Sequence, residues 1–150
     1  MAQETRLGSL APTRFHIAVH ALVYLARDGS VCPSNELADQ VNSHATFVRR
    51  IIADLVKGGV VEAKQGRGGG YVLSLAPHEI TLGRVYRLIH QSEANATDQP
   101  CLSEPPPTGG WVDAFTEIIA ETEAKVMETL DRYTLADLLE RDRQATSSAT

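Results

Sequence analysis

The first apolar segment of the chain covers residues 12–27 and repeats at the spacing of a helix. Its main stripe consists of Phe15, Ala18, Leu22 and Leu25. Most of the remaining surface of this helix is also apolar, and a helix of that kind is buried on several sides. In a chain of 150 residues, we therefore expect the helix to pack against both its own domain and a second subunit.

Two further helices are predicted between residues 31 and 59. The first is short and covers residues 33–41. The second starts after Ser43, a good N-cap residue, and is amphipathic. Its apolar stripe consists of Val48, Ile51, Ile52, Leu55 and Val56. Gly58 and Gly59 supply the left-handed stop that ends this helix. A short helix, a tight turn and a longer amphipathic helix form a helix-turn-helix candidate.

A β-hairpin is predicted directly after the second of these helices. Residues 60–64 and 71–75 have the pattern of strands, and the sequence GRGGG between them forms a basic, glycine-rich tip. Another short helix is predicted over residues 79–91. Residues 92–110 contain four of the seven prolines and no periodic pattern, which is typical of a mobile linker.

A long amphipathic helix is predicted over residues 111–132. Its apolar stripe consists of Trp111, Phe115, Ile118, Ile119, Val126 and Leu130. Because the helix follows a long linker, we expect this stripe to meet a second subunit and form a dimer interface. Thr134 is expected to cap a last short helix.

These elements predict a mainly α fold with a small β-hairpin, namely a winged helix-turn-helix followed by a long C-terminal dimerisation helix. The winged helix-turn-helix domain is expected over residues 1–91 and the linker over residues 92–110. The dimerisation helix and the short closing helix are expected over residues 111–140. We expect residues 141–150 to form a disordered tail.

The composition is that of a water-soluble globular domain, with 43% hydrophobic and 22% charged residues. No apolar run approaches the ~18 residues that a membrane-spanning helix needs. The first residues lack the apolar segment of a signal peptide. The two cysteines are too few for a disulfide scaffold. We therefore expect a cytoplasmic protein that has no membrane partner.

The net charge of −5 conceals a difference between the two halves of the chain. Residues 1–75 carry eight Lys and Arg against six Asp and Glu, whereas residues 76–150 carry six against thirteen. A chain with one basic half can still bind a polyanion on that side. The overall acidity therefore does not exclude nucleic acid as a partner.

The order of amphipathic helix and basic hairpin favours double-stranded DNA as the partner. The amphipathic helix fits the major groove, and an arginine at a glycine-rich tip can approach the phosphate backbone or the minor groove. The predicted DNA-binding residues are Ser43, His44, Thr46, Arg49, Arg50, Gln65, Arg67 and Gly68. The alternative is a winged-helix protein-interaction module that has lost DNA binding, although such a module has no need of Arg49, Arg50 and Arg67.

An enzyme is not indicated. The GRGGG segment is followed by a strand, whereas loops that bind phosphate groups lead into a helix. No Ser/His/Asp arrangement, paired carboxylates or zinc-protease motif is found in the sequence.

Residues 12–90 resemble the Rrf family of bacterial regulators, to which IscR, NsrR and CymR belong. The resemblance rests on FHIAVHALVYLA, NELADQV and above all KGGVVEAKQGRGGGYVL followed by EITLGRVY. It implies a homodimer that binds palindromic operators, usually as a repressor. It also implies that the long helix crosses to the other subunit.

The resemblance raises the question of a sensor, because the best-known sensing site of the family is an iron–sulfur cluster held by three cysteines. The corresponding segment contains Cys101 alone, so we expect no cluster and no other cofactor. His16 and His20 have a spacing that can bind a metal, but they have no further ligand nearby in sequence, and we predict no metal site.

A thiol switch is one hypothesis for the signal. Cys32 precedes a helix whose dipole could lower its pKa, and Cys101 of the other subunit could pair with it on oxidation. The alternative is that the two cysteines are unrelated and that Cys32 is a small buried residue. A further hypothesis is a regulator that binds a small ligand between the linker and the dimerisation helix.

Overall fold

The computed structural model describes residues 13–95 and 108–148. The helices are α1 (Thr13–Asp28), α2 (Ser34–Gln40), α3 (Ala45–Lys57), α4 (Leu82–Asn95), α5 (Gly110–Asp131) and α6 (Leu135–Ser148). The strands are β1 (Val61–Lys64) and β2 (Gly70–Leu73), and a 3-10 turn covers Pro77–Glu79. The fold is therefore mainly helical with one β-hairpin, as predicted.

The core lies where α1, α3 and α4 meet. The stripes predicted from the sequence supply it, because side chains at helical spacing all face one side. Its fully buried members include Leu22, Leu25, Ile51, Leu55, Val85 and Ile89. Burial of each such side chain contributes about 1.5–3 kcal/mol. An ion pair of 3.1 Å between Arg14 and Asp54 joins α1 to α3 at the edge of this core.

The hairpin is antiparallel, with Val61 opposite Leu73 and Lys64 opposite Gly70. A third stretch of backbone extends this small sheet. The N–H of Cys32 donates to the carbonyl of Tyr71 at 2.9 Å, and the N–H of Tyr71 donates to the carbonyl of Cys32 at 2.8 Å. This bridge fixes the hairpin against the start of α2.

The expected cap of α3 is wrong by one residue. The N-cap is His44 rather than Ser43, and no side chain caps the helix. The N–H of Ser43 bonds to the carbonyl of Ala38, and Asn42 adopts φ +51°. These two features form a left-handed cap at the end of α2. Because Ser43 belongs to that cap, α3 begins later.

Two predicted boundaries also change. The helix expected over residues 79–91 begins at Leu82 and continues to Asn95, so the start of the expected linker is helical. The tail expected to be disordered over 141–150 is helical as far as Ser148. The capping role of Thr134 is confirmed at the start of α6, where its Oγ1 accepts the N–H of Asp137 at 3.3 Å and the carboxylate of Asp137 accepts the N–H of Thr134 at 2.7 Å. An exposed ion pair joins Asp142 of α6 to Arg27 of α1.

Only the C-terminal end of α5 packs against the rest of the described chain. There Asp131 pairs with Arg87 of α4, and Val126 and Leu130 are half-buried. The remaining stripe residues are exposed by 65% for Trp111, 57% for Phe115, 59% for Ile118 and 42% for Ile119. Of the helices that the structure describes, none is both long enough and apolar enough to cross a membrane.

Candidate nucleic-acid interface

One face of α3 is polar and points away from the core. Burial of Val48, Ile51, Ile52 and Leu55 fixes the orientation of the helix. The opposite face therefore presents its exposed side chains to the outside, and they are Thr46, Arg49, Arg50, Ala53 and Lys57. Three of these five side chains are cationic. An exposed basic face on a helix of this length suits the major groove of DNA.

The two arginines of α3 differ in their surroundings. The Nε–H of Arg49 donates to Oγ of Ser34 at 3.3 Å, and its Nη2 donates to Oδ1 of Asn35 at 3.2 Å. Arg49 is thus tied to the first turn of α2. Arg50 is exposed and makes no hydrogen bond or ion pair within the described residues.

The turn before α3 carries two more of the predicted residues. His44 is exposed at the N-cap, whereas Ser43 is only partly exposed and its N–H is used in the cap of α2. Both residues lie at the end of α3 that carries Thr46 and Arg49. The structure therefore places the predicted residues of the helix-turn-helix on one continuous surface.

The hairpin forms a wing whose tip is basic and tightly turned. Gln65, Arg67 and Gly68 are all exposed. Gly68 adopts φ +73° and Gly66 adopts φ +92°, conformations that side chains other than glycine rarely tolerate. Because the other residues of the GRGGG tip are glycines, Arg67 is the cationic side chain that projects from it.

A polar cleft joins the wing to the start of α2. It has a volume of about 370 Å³, and Ser34, Asn35, Lys64, Gln65 and Gly66 are among its lining residues. The ion pair of 2.8 Å between Lys64 and Glu62 lies on the wing strand beside it. Ser34 and Asn35 are not among the DNA-binding residues that the sequence predicted. Their position at the start of the short helix was visible, but their contact with Arg49 depends on the packing of α2 against α3.

Comparison with known proteins identifies the family. The sequence profile of the Rrf2 family, described as an iron-dependent transcriptional regulator, matches residues 11–141. The chain belongs to the Rrf2 family. This confirms the resemblance found in the sequence, and it confirms that the protein is a transcriptional regulator rather than an enzyme.

Individual Rrf2 proteins agree with this assignment along most of their length. The HTH-type transcriptional regulator NsrR of Bacillus subtilis is 27% identical over 131 residues, which cover 81% of this chain and 84% of NsrR. The structure of IscR from T. potens matches with a TM-score of 0.67 and 24% identity, covering 92% and 91% of the two chains. CymR of B. subtilis matches with a TM-score of 0.63 and 24% identity, covering 87% and 96%. The two structural likenesses show the winged-helix fold.

Cys32 lies in an environment that disfavours thiol chemistry. Its side chain is 1% exposed, and the thiol donates to the carbonyl of Pro33 at 3.5 Å. Burial, together with the charges of Glu36 and Asp28, raises the pKa of Cys32 to about 11. The expectation that a helix dipole lowers this pKa is therefore wrong. Cys101 lies outside the described residues, so its pairing with Cys32 stays a prediction.

The cysteines of this chain do not fit an iron–sulfur cluster site with three thiolate ligands, the site that the family resemblance suggests. The whole chain has two cysteines. One of them, Cys32, is held beneath the wing by the backbone bridge to Tyr71 and has a protonated thiol at neutral pH. Within residues 13–95 and 108–148, no group of three His, Cys, Asp or Glu side chains could hold a metal ion.

An apolar cavity of about 560 Å³ lies between α1, α4, α5 and α6. Its lining consists of Phe15, His16, Val19, His20, Leu82, Leu130 and Leu138. Burial, with smaller contributions from His16 and Arg27, lowers the pKa of His20 below its usual 6.5, so its imidazole is neutral at pH 7. His16 and His20, the pair whose spacing can bind a metal, both line this cavity and are exposed in the single chain.

Proposed function

We propose that this Rrf2 protein is a homodimeric transcriptional repressor that binds double-stranded operator DNA through α3 and the wing. The observation that carries the proposal is the continuous surface formed by the exposed basic face of α3, the polar cleft and the tip at Arg67. Base readout is assigned to Thr46, Arg49 and Arg50 at the exposed end of α3. Backbone or minor-groove contact is assigned to Gln65, Arg67 and Gly68 on the wing.

The exposed stripe of α5 supports the dimer. Trp111, Phe115 and Ile118 each expose more than half of their surface in the single chain. Contiguous apolar surface of this kind is typical of an interface with another protein. A second copy that buries the same stripe gives a two-fold symmetric dimer, and such a dimer binds two half-sites of a palindromic operator.

The repressor role and the cytoplasmic location follow the family resemblance. A dimer bound across an operator blocks access to the DNA that it covers. Operator binding requires the compartment that holds the chromosome, which in a bacterium is the cytoplasm. We include no redox step, because the pKa of Cys32 is raised to about 11 and its side chain is buried.

Arg67→Ala and Arg50→Ala test the DNA surface. We expect Arg67→Ala to weaken binding to all sequences and to reduce the slope of log affinity against log salt by about 1, because a phosphate contact is lost. Arg50→Ala is expected to weaken operator binding about tenfold. Gel shifts on the protein's own promoter region at several salt concentrations measure both effects.

Arg143→Ala is the matched control, because it removes an exposed arginine from α6, outside the proposed surface. It should bind the promoter as the wild type does. Unchanged binding by both Arg67→Ala and Arg50→Ala would show that DNA does not contact this surface.

A second candidate function is a response to a small apolar ligand. The cavity of about 560 Å³ favours it, since ligand sites are typically apolar clefts of ~300–1,000 Å³. Its walls come from α1 and α4 of the DNA-binding unit and from α5 and α6 of the C-terminal part. A bound ligand would therefore contact both parts.

The apolar dye anilinonaphthalene sulfonate is a suitable probe for this cavity. We expect the wild type to enhance its fluorescence, and Val19→Trp to reduce the enhancement at least fivefold by filling the space. Gln144→Trp adds the same ring on the exposed surface of α6 and should leave the enhancement unchanged. Equal fluorescence of the wild type and Val19→Trp would exclude the cavity as the site.

A further inference from the structure

The contacts of Arg49 use only one edge of its guanidinium group. The group is planar and presents five N–H donors in a fixed arrangement. Its side edge, formed by Nε and Nη2, donates to Ser34 at 3.3 Å and to Asn35 at 3.2 Å. Both acceptors belong to the first turn of α2, so two neighbouring residues of another helix hold the plane of the group.

The other edge of Arg49 is available for a ligand. Its end, formed by Nη1 and the second hydrogen of Nη2, has no partner among the side chains and backbone that the structure describes. Two parallel N–H donors at this end match the O6 and N7 acceptors of guanine in the major groove. Arg50, the next residue, has neither edge engaged within the described chain.

We propose that Ser34 and Asn35 are positioning residues that hold Arg49 by its side edge, so that its Nη1–Nη2 end reads a guanine of the operator. The inference rests on the proposed DNA-binding function and assigns to these residues a part in its sequence specificity. Because the side chain is already ordered before DNA binds, less of its conformational entropy is lost on binding. Arg50 has no such support and loses that entropy when it binds.

The location of the two positioning residues agrees with this role. Ser34 and Asn35 also line the polar cleft that leads to Lys64 and Gln65 of the wing. They therefore lie on the surface that DNA covers when α3 and the wing bind together.

The first step of the test is to select a preferred duplex with the wild-type dimer from a library of random sequence. Affinity is then measured for the selected duplex and for each single-base change. In the variant Ser34→Ala/Asn35→Ala, we expect the ratio between the affinity for guanine and the affinity for the other bases at one position to fall about tenfold. Its affinity for unrelated DNA and its salt slope should stay at the wild-type values, since no phosphate contact of Arg49 is removed.

A double-mutant comparison separates positioning from direct contact. Arg49→Ala should lose discrimination at the same guanine, and adding Asn35→Ala to it should cause no further loss. Ser34→Thr keeps the hydroxyl and should keep the discrimination. Gln40→Ala truncates an exposed amide of the same helix α2 and serves as the matched control. Circular dichroism spectra confirm that each variant is folded.

The possible outcomes distinguish the inference from the proposed function. If the wild type selects no sequence, operator binding itself is wrong. If it selects one and Ser34→Ala/Asn35→Ala discriminates as well as the wild type does, the positioning role alone is wrong. A loss that is equal for every sequence, or that adds fully to the loss in Arg49→Ala, would also overturn it.

Discussion

The double variant Phe115→Asp/Ile119→Asp is expected to convert the proposed dimer into a monomer. The two side chains are 57% and 42% exposed in the single chain, and a second subunit would bury them. Each buried side chain of this size contributes about 1.5–3 kcal/mol, so losing two raises the dissociation constant of the dimer at least about 100-fold. Two carboxylates would also have to be desolvated in the interface.

Sedimentation velocity at micromolar concentration measures this change. Operator affinity should fall with it, because two half-sites are no longer bound by one molecule. The control Ala120→Asp/Ala124→Asp adds the same charge at the same spacing on the side of α5 away from Phe115, and should remain dimeric. A wild-type protein that sediments as a well-folded monomer would contradict the proposed interface.

Gly70→Ala is expected to lower the free energy of unfolding by about 2–4 kcal/mol. A Cβ atom at this position would lie 2.2 Å from the carbonyl oxygen of Cys32 and 2.8 Å from the nitrogen of Pro33. Both are backbone atoms and cannot move aside as a side chain can. The strain falls on the two hydrogen bonds that join Cys32 to Tyr71.

Urea unfolding at fixed protein concentration measures the loss as a lower transition midpoint with an unchanged slope. Gly110→Ala is the matched control, because a Cβ there meets nothing within 4 Å. This variant should unfold at the wild-type urea concentration or slightly above it. Equal midpoints for Gly70→Ala and the wild type would show that position 70 does not pack closely against the backbone of Cys32.

The sequence predicted the elements whose signals are local. The stripe of Val48, Ile51 and Leu55 recurs at the period of a helix, and each of these side chains is buried. Gly59 ends the helix with φ +73°, as the Gly-Gly pair predicted. Thr134 and Asp137 lie three residues apart, so their cap was also visible. In each case the residues that decide the structure are close together in the chain.

The errors came from contacts between elements, which a local sequence pattern does not show. Ser43 has the chemistry of an N-cap, but its N–H completes the cap of α2 by bonding to Ala38. Residues 141–148 continue α6, and Asp142 among them pairs with Arg27 of α1, which is far away in the chain. Local pattern alone cannot weigh such contacts.

The sequence by itself determined the family, the helix-turn-helix with its wing, and the exposed cations at Arg50 and Arg67. These depend on periodicity, on glycine positions and on a motif that is continuous in the chain. The tertiary structure alone decided the environment of Cys32 and the attachment of Arg49. Cys32 meets Tyr71 across 39 positions, which buries its thiol and raises its pKa to about 11. Arg49 meets Asn35 across 14 positions. Such contacts form only when separate elements pack together, because the residues that meet are far apart in the sequence.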